Sequence, residues 1–116
     1  MNDAKPILEG ARRFGMTGAV YLHAQQRYFM IGWYYPAGGG HLKGAATHTI
    51  WDFYESPHPW GPWTHIGSYD SQPSGYYSPE VCPKFQTADK VYVFTAGNWN
   101  NPLDYHLSVF PLEIVT

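Results

Sequence analysis

The sequence predicts an all-β protein of about eight antiparallel strands in two four-stranded sheets. Three observations carry this. From Thr17 onward, short runs rich in Val, Ile, Tyr, Phe and Trp are each bounded by Gly, Pro, Asn or Ser, the pattern of strands joined by turns. The connections lack the dozen or so residues of amphipathic helix that a parallel crossover needs, which disfavours an α/β sheet. The two parts of the chain also repeat one another, and a repeat of this period decides the architecture.

Residues 1–16 stand apart as an N-terminal arm or short helix, in which Asp3 can cap a helical turn through Leu8 before Gly10 ends it. The expected strands are then Gly18 to His23, Arg27 to Tyr35, Thr47 to Ser56 and Trp63 to Tyr69 in a first sheet covering residues 17–70. Pro79 to Phe85, Lys90 to Ala96, Asp104 to Phe110 and Leu112 to Val115 follow in a second sheet covering residues 71–116. Ala24-Gln25-Gln26 and Gln86 to Asp89 read as hairpin turns, Gly38-Gly39-Gly40 as a flexible loop, and Pro57 to Pro62 as a rigid turn.

At 116 residues the chain is one domain, and at 14% charged and 18% aromatic residues it has neither the high charge nor the low hydrophobicity of a disordered segment. A net charge of −2, with Arg12-Arg13 as the longest basic run, leaves no electrostatic footprint for nucleic acid. Cys82 is the lone cysteine, so no internal disulfide supports the fold, and in a β run before Pro83 it reads as a buried small apolar residue. No apolar window reaches membrane-spanning length, and Asp3 and Glu9 interrupt any signal-peptide pattern. The expectation is a soluble chain, cytoplasmic by default, with neither membrane nor nucleic acid as a partner.

The repeat aligns Gly18-Ala19-Val20-Tyr21-Leu22 with Pro79-Glu80-Val81-Cys82-Pro83 at an offset of about sixty residues. Tyr28 to Trp33 likewise stands against Tyr92 to Gly97, and Thr47 to Trp51 against Asp104 to Ser108. Each half is therefore expected to be a four-stranded antiparallel meander, the unit of a β-propeller blade.

The run Tyr54-Glu55-Ser56-Pro57-His58-Pro59-Trp60-Gly61-Pro62-Trp63-Thr64 resembles the segment joining the third and fourth strands of a blade in five-bladed propeller glycosidases, typified by arabinofuranosidases and xylosidases of glycoside hydrolase family 43. Prolines stiffen such a turn, Gly61 permits positive φ, and Trp63 opens the outer strand by packing on the blade. Tyr77-Ser78-Pro79-Glu80-Val81 similarly resembles the start of an innermost strand in that superfamily, where residues at the funnel mouth meet the sugar. The resemblance spans about Thr17 to Thr116 and implies a carbohydrate-binding role. Five blades need about 250 residues or more, so this chain holds about two. Their open edges predict association with a second copy, a symmetric homodimer being the commonest closed form, and the alternative is that the two sheets pack face to face within one chain.

A glycosidase needs two flanking carboxyl groups, and the resembled family draws three acids from three blades. Among Asp52, Glu55, Asp70, Glu80, Asp89 and Asp104, Glu80 alone sits at the start of an innermost strand, which makes it the candidate acid or base in an incomplete set. Asp52 is expected to face solvent or a loop. Aromatic rings that can stack on sugar faces are the stronger signal. The candidate ligand-binding residues are Trp99 with its flanking Asn98 and Asn100, Tyr76, Tyr77, Trp60, Trp33 and His48, whereas Trp51 and Trp63 at strand positions read as packing. The six histidines show no metal-ligand spacing, so no metal or other cofactor is expected. The leading expectation is a saccharide-binding protein without a full catalytic set. A glycoside hydrolase assembled across chains and a purely structural oligomer are the alternatives.

Overall fold

The computed structural model describes residues 15–16, 18–34, 49–70, 76–98 and 107–114. These are all-β, in eight strands: β1 (Gly15–Met16), β2 (Val20–Leu22), β3 (Arg27–Tyr34), β4 (Ile50–Ser56), β5 (Thr64–Asp70), β6 (Tyr76–Cys82), β7 (Lys90–Asn98) and β8 (Leu107–Glu113). Every pairing is antiparallel, and the strands form two open sheets. In sheet A, β3, β4 and β5 follow in order, and β1 and β2 share the free edge of β3, one facing Gly32 and Trp33 and the other Arg27 to Phe29. Sheet B is the meander β6-β7-β8.

The correspondence of the halves survives as topology, since β2, β3 and β4 neighbour one another as β6, β7 and β8 do. Among the described residues the second half forms three strands where four were expected. Asp104 to Phe110 and Leu112 to Val115, expected as two strands, give one, β8, which runs through Pro111. A strand at the sheet edge tolerates a residue with no N–H to donate, so the proline ends nothing. The strand expected over Pro79 to Phe85 instead starts at Tyr76 and ends at Cys82, and Pro83–Phe85 turn into a 3-10 helix with the proline in its first turn. The expected Trp63 start of β5 moves to Thr64. Gly15 and Met16, assigned to the arm, form β1, while the expected helix through Leu8 and the loop at Gly38-Gly39-Gly40 lie outside the described residues.

The two sheets pack face to face within the chain. Alternation along β3 and β4 aligns Phe29, Ile31 and Trp33 with Glu55, Phe53 and Trp51 on the inner face of sheet A. Against it lie Val81, Val91 and Val93 of sheet B, with Phe110 and Leu112 packed alongside. Ile31 and Val93 are fully buried, a burial worth about 1.5–3 kcal/mol for each side chain. Trp51, also fully buried, meets Phe110 edge to face across the sheets at 5.7 Å and 84°, which fits its expected packing role.

Hydrogen bonds between turns fasten one end of the sandwich. The Gln86 amide donates to Tyr21 O (3.0 Å) and Pro83 O (3.0 Å), and its Oε1 accepts from the His23 N–H (2.8 Å). From the β2–β3 turn, Gln25 Nε2 donates to Ala88 O. That turn closes with the Gln26 N–H donating to Leu22 O (2.9 Å), and Gln26 takes the left-handed conformation at φ 54°. On the other side of sheet B, the Thr87 N–H donates to Lys90 O (2.8 Å) and the Ile114 N–H to Asp89 O (2.8 Å), tying β8 to the β6–β7 connection.

Candidate functional site

The β4–β5 hairpin carries the best-defined group of polar and aromatic side chains. At its tip, Pro57, Pro59 and Pro62 restrict the backbone, and Gly61 adopts φ 104°, the conformation expected of it. A Cβ at Gly61 would lie 3.1 Å from Trp63 Cδ1, so the half-buried Trp63 indole also needs a glycine there. The His58 N–H donates to Ser56 Oγ (3.1 Å) and the Gly61 N–H to His58 O (3.1 Å). The turn so held stacks the His58 imidazole on the Trp60 indole at 4.9 Å and 7°. Trp60 remains 70% exposed, so a large aromatic surface stands in solvent on a stiff support.

On the outer face of the same hairpin, Asp52, Ser68 and His65 meet. Ser68 Oγ–H donates to Asp52 Oδ1 at 2.6 Å, and His65 Nε2 lies 3.2 Å from that oxygen and 3.0 Å from Ser68 Oγ. The physical cause is a bulge: Phe53 opposes Gly67, but Tyr54 opposes His65, so Ile66 is the extra residue. Strand residues three apart normally face opposite sides. The bulge turns His65 to the face that holds Ser68, where its ring also meets Tyr54 edge to face at 5.4 Å.

Asp52, expected to face solvent or a loop, is 6% exposed. Its alternation with aromatics along β4 places it on the outer face, where Ser68 and His65 of the neighbouring β5 contact its carboxylate. A carboxylate held this way needs the two donors that reach it, because burying an unpaired charge is costly. The trio has the residue types of a hydrolase triad without its geometry. A triad presents the acid to one imidazole nitrogen and the serine to the other, whereas here one nitrogen faces both and the serine donates to the acid. The arrangement holds the hairpin face together and leaves the serine unactivated.

The sequence-derived candidates fall in several places. Trp33 is half-buried and packs against the core opposite Trp51, which makes its indole part of the sandwich. Glu80 is exposed on β6, paired with Phe94. It follows a bulge in which Tyr77 opposes Ala96 and Glu80 opposes Phe94, with Ser78 held at φ 52° and Pro79 buried. Backbone pairing sets Tyr76 opposite Asn98 at the same end of sheet B. Trp99, Asn100 and His48 lie outside the described residues. Cys82, expected to be buried, is half-buried at the end of β6. Among the described residues no three of His, Cys, Asp and Glu form a metal-ligand group. Sequence reasoning missed the Asp52–His65–Ser68 trio, since nothing in local spacing marks the bulge at Ile66.

No family model matches the chain, and no curated protein or solved structure matches it either.

Proposed function

We propose that the chain is a saccharide-binding protein of propeller type, related to propeller glycosidases, with its two sheets as neighbouring blades. The observation that carries the binding role is the exposed Trp60 on its braced turn. Sugar C–H faces stack on such an indole, and hydroxyls take hydrogen bonds from polar groups at the ring edge. His58 stacks on one face of the indole and braces it, while Trp60 stays 70% exposed. Support for the blade reading comes from the matched order of β2-β3-β4 and β6-β7-β8 and from their face-to-face stacking. Glu80 and the strained Ser78 bulge mark a second point of sugar contact, because bulges commonly re-aim side chains beside binding sites.

The test is a titration of the chain with a panel of neutral mono- and oligosaccharides, followed by tryptophan fluorescence and amide chemical shifts. The expected result is a saturable response that Trp60→Ala removes while the far-ultraviolet circular dichroism stays unchanged. A panel that elicits no response from the unaltered chain overturns the reading.

A second reading, self-association, is favoured by the outer face of sheet B. There Phe85, Leu107 and Val109 are all at least half exposed on a sheet of only three described strands, an apolar surface of the kind that interfaces cover. Light scattering should then give a mass above 13.2 kDa that falls toward the monomer in Val109→Lys. A monomer at all concentrations removes this reading and leaves the saccharide proposal standing.

A further inference from the structure

Apart from the hairpin face, the sandwich holds a cleft of about 530 Å3 between its sheets, within the usual range for small-molecule sites. Its wall on sheet A is formed by Phe29 and Phe53, whose rings stack at 5.8 Å and 20°. The facing wall consists of Val91, Leu112 and Ile114. Such walls suit a hydrocarbon body and offer nothing to a ligand that is polar throughout.

Two polar groups from sheet A and its turn line this apolar space, and both accept hydrogen bonds. Glu55 lies on the inner face of β4, in the row of Trp51 and Phe53 and directly opposite Phe29. It is half-buried, and no Lys or Arg among the described residues pairs with it, the ion pair found there being His65 with Asp52. Gln25 enters from the β2–β3 turn. Its Nε2 is committed to Ala88 O, which leaves Oε1 buried and without a hydrogen-bond partner among the described residues. A buried acceptor left unsatisfied destabilises the fold, and a ligand that donates to it removes that penalty. Glu113 at the rim adds a further acid, opposite Lys90 in the β7–β8 register.

We propose that this cleft binds an organic cation, a primary ammonium carried on an aryl or alkyl body. The charge complements Glu55, the N–H groups supply the donors that Glu55 and Gln25 Oε1 lack, and the apolar body fills the space between the phenylalanines and the aliphatic wall. An anionic ligand meets like charge, and a neutral alcohol of the same shape can still donate to Glu55 but forfeits the attraction between opposite charges. That attraction makes the ammonium roughly tenfold or more the tighter ligand, a difference of about 1.4 kcal/mol or more.

The experiment titrates the unaltered chain with 2-phenylethylammonium, 2-phenylethanol and 3-phenylpropionate at equal ionic strength, read by calorimetry and by amide shifts. The expected order is ammonium, then alcohol by about tenfold or more, with the carboxylate weakest; the shifts should centre on Phe29, Phe53 and Val91. In Glu55→Gln the preference for ammonium over alcohol should collapse to about twofold or less, while the alcohol still binds. Equal affinity for ammonium and alcohol overturns the proposal, as does the absence of any shift at these residues. The comparison on the unaltered chain decides the matter even if the variant fails to fold, and neither result bears on the saccharide response at Trp60.

Discussion

The contact between Trp51 and Phe110 measures whether the two sheets share one core. Trp51 is fully buried on β4, and its ring lies 5.7 Å from that of Phe110 on β8 and 5.3 Å from that of Tyr69 on β5. Cutting Trp51 back to alanine should cost about 3–5 kcal/mol, a large share of the about 5–15 kcal/mol that holds a domain of this kind. A milder cycle of Trp51→Leu, Phe110→Leu and the double variant keeps the chain folded. An edge-to-face pair contributes about 0.5–1.5 kcal/mol beyond its burial, so the double variant should be less destabilised than the sum of the singles by that amount. Urea unfolding followed by circular dichroism resolves it, because a slope of about 1–3 kcal/mol per molar turns 1 kcal/mol into a midpoint shift of about 0.3–1 M. Additivity to within about 0.3 kcal/mol would refute the shared core. Coupling that grows with protein concentration would assign the contact to a second copy instead.

Three further outcomes are expected. Gly61→Ala should lower stability by about 1–3 kcal/mol in the same urea assay, since alanine at φ 104° is strained and its Cβ meets Trp63; an unchanged midpoint would show that the turn relaxes freely. Gln86→Ala removes both bonds from its amide and the one its Oε1 accepts from His23. Amides of the β2–β3 turn should then exchange hydrogen faster, and unaltered protection there would count against a clamp between the turns. Ser68→Ala leaves the buried Asp52 with His65 as its remaining side-chain hydrogen-bond partner among the described residues. The expected loss is about 1–3 kcal/mol, and a neutral substitution would mean that water replaces the hydroxyl.

The amino-acid order by itself determined the all-β class, the turns at Gln25, at Pro57 to Pro62 and at Thr87, the positive φ of Gly61 and the packing role of Trp51. Each follows from local physics: a two-residue side-chain period, the limited backbone freedom of proline, and glycine's lack of a Cβ. The correspondence of the two halves was legible for the same reason, because aligned strand and turn patterns give aligned meanders. Tertiary structure decided the rest. Pro111 read as a boundary between strands, yet β8 passes through it because an edge strand can spare the donor that a central strand needs. Strand alternation separates residues three apart, yet the bulge at Ile66 brings His65 beside Ser68 and Asp52. Glu55 is one more strand acid in the sequence, and it becomes a carboxylate in an apolar cleft, without an ion-pair partner among the described residues, only when sheet B closes over the row it shares with Phe53 and Trp51. Such features depend on which strand neighbours which and on what covers each face, and those long-range relations leave no mark in the local spacing of residues.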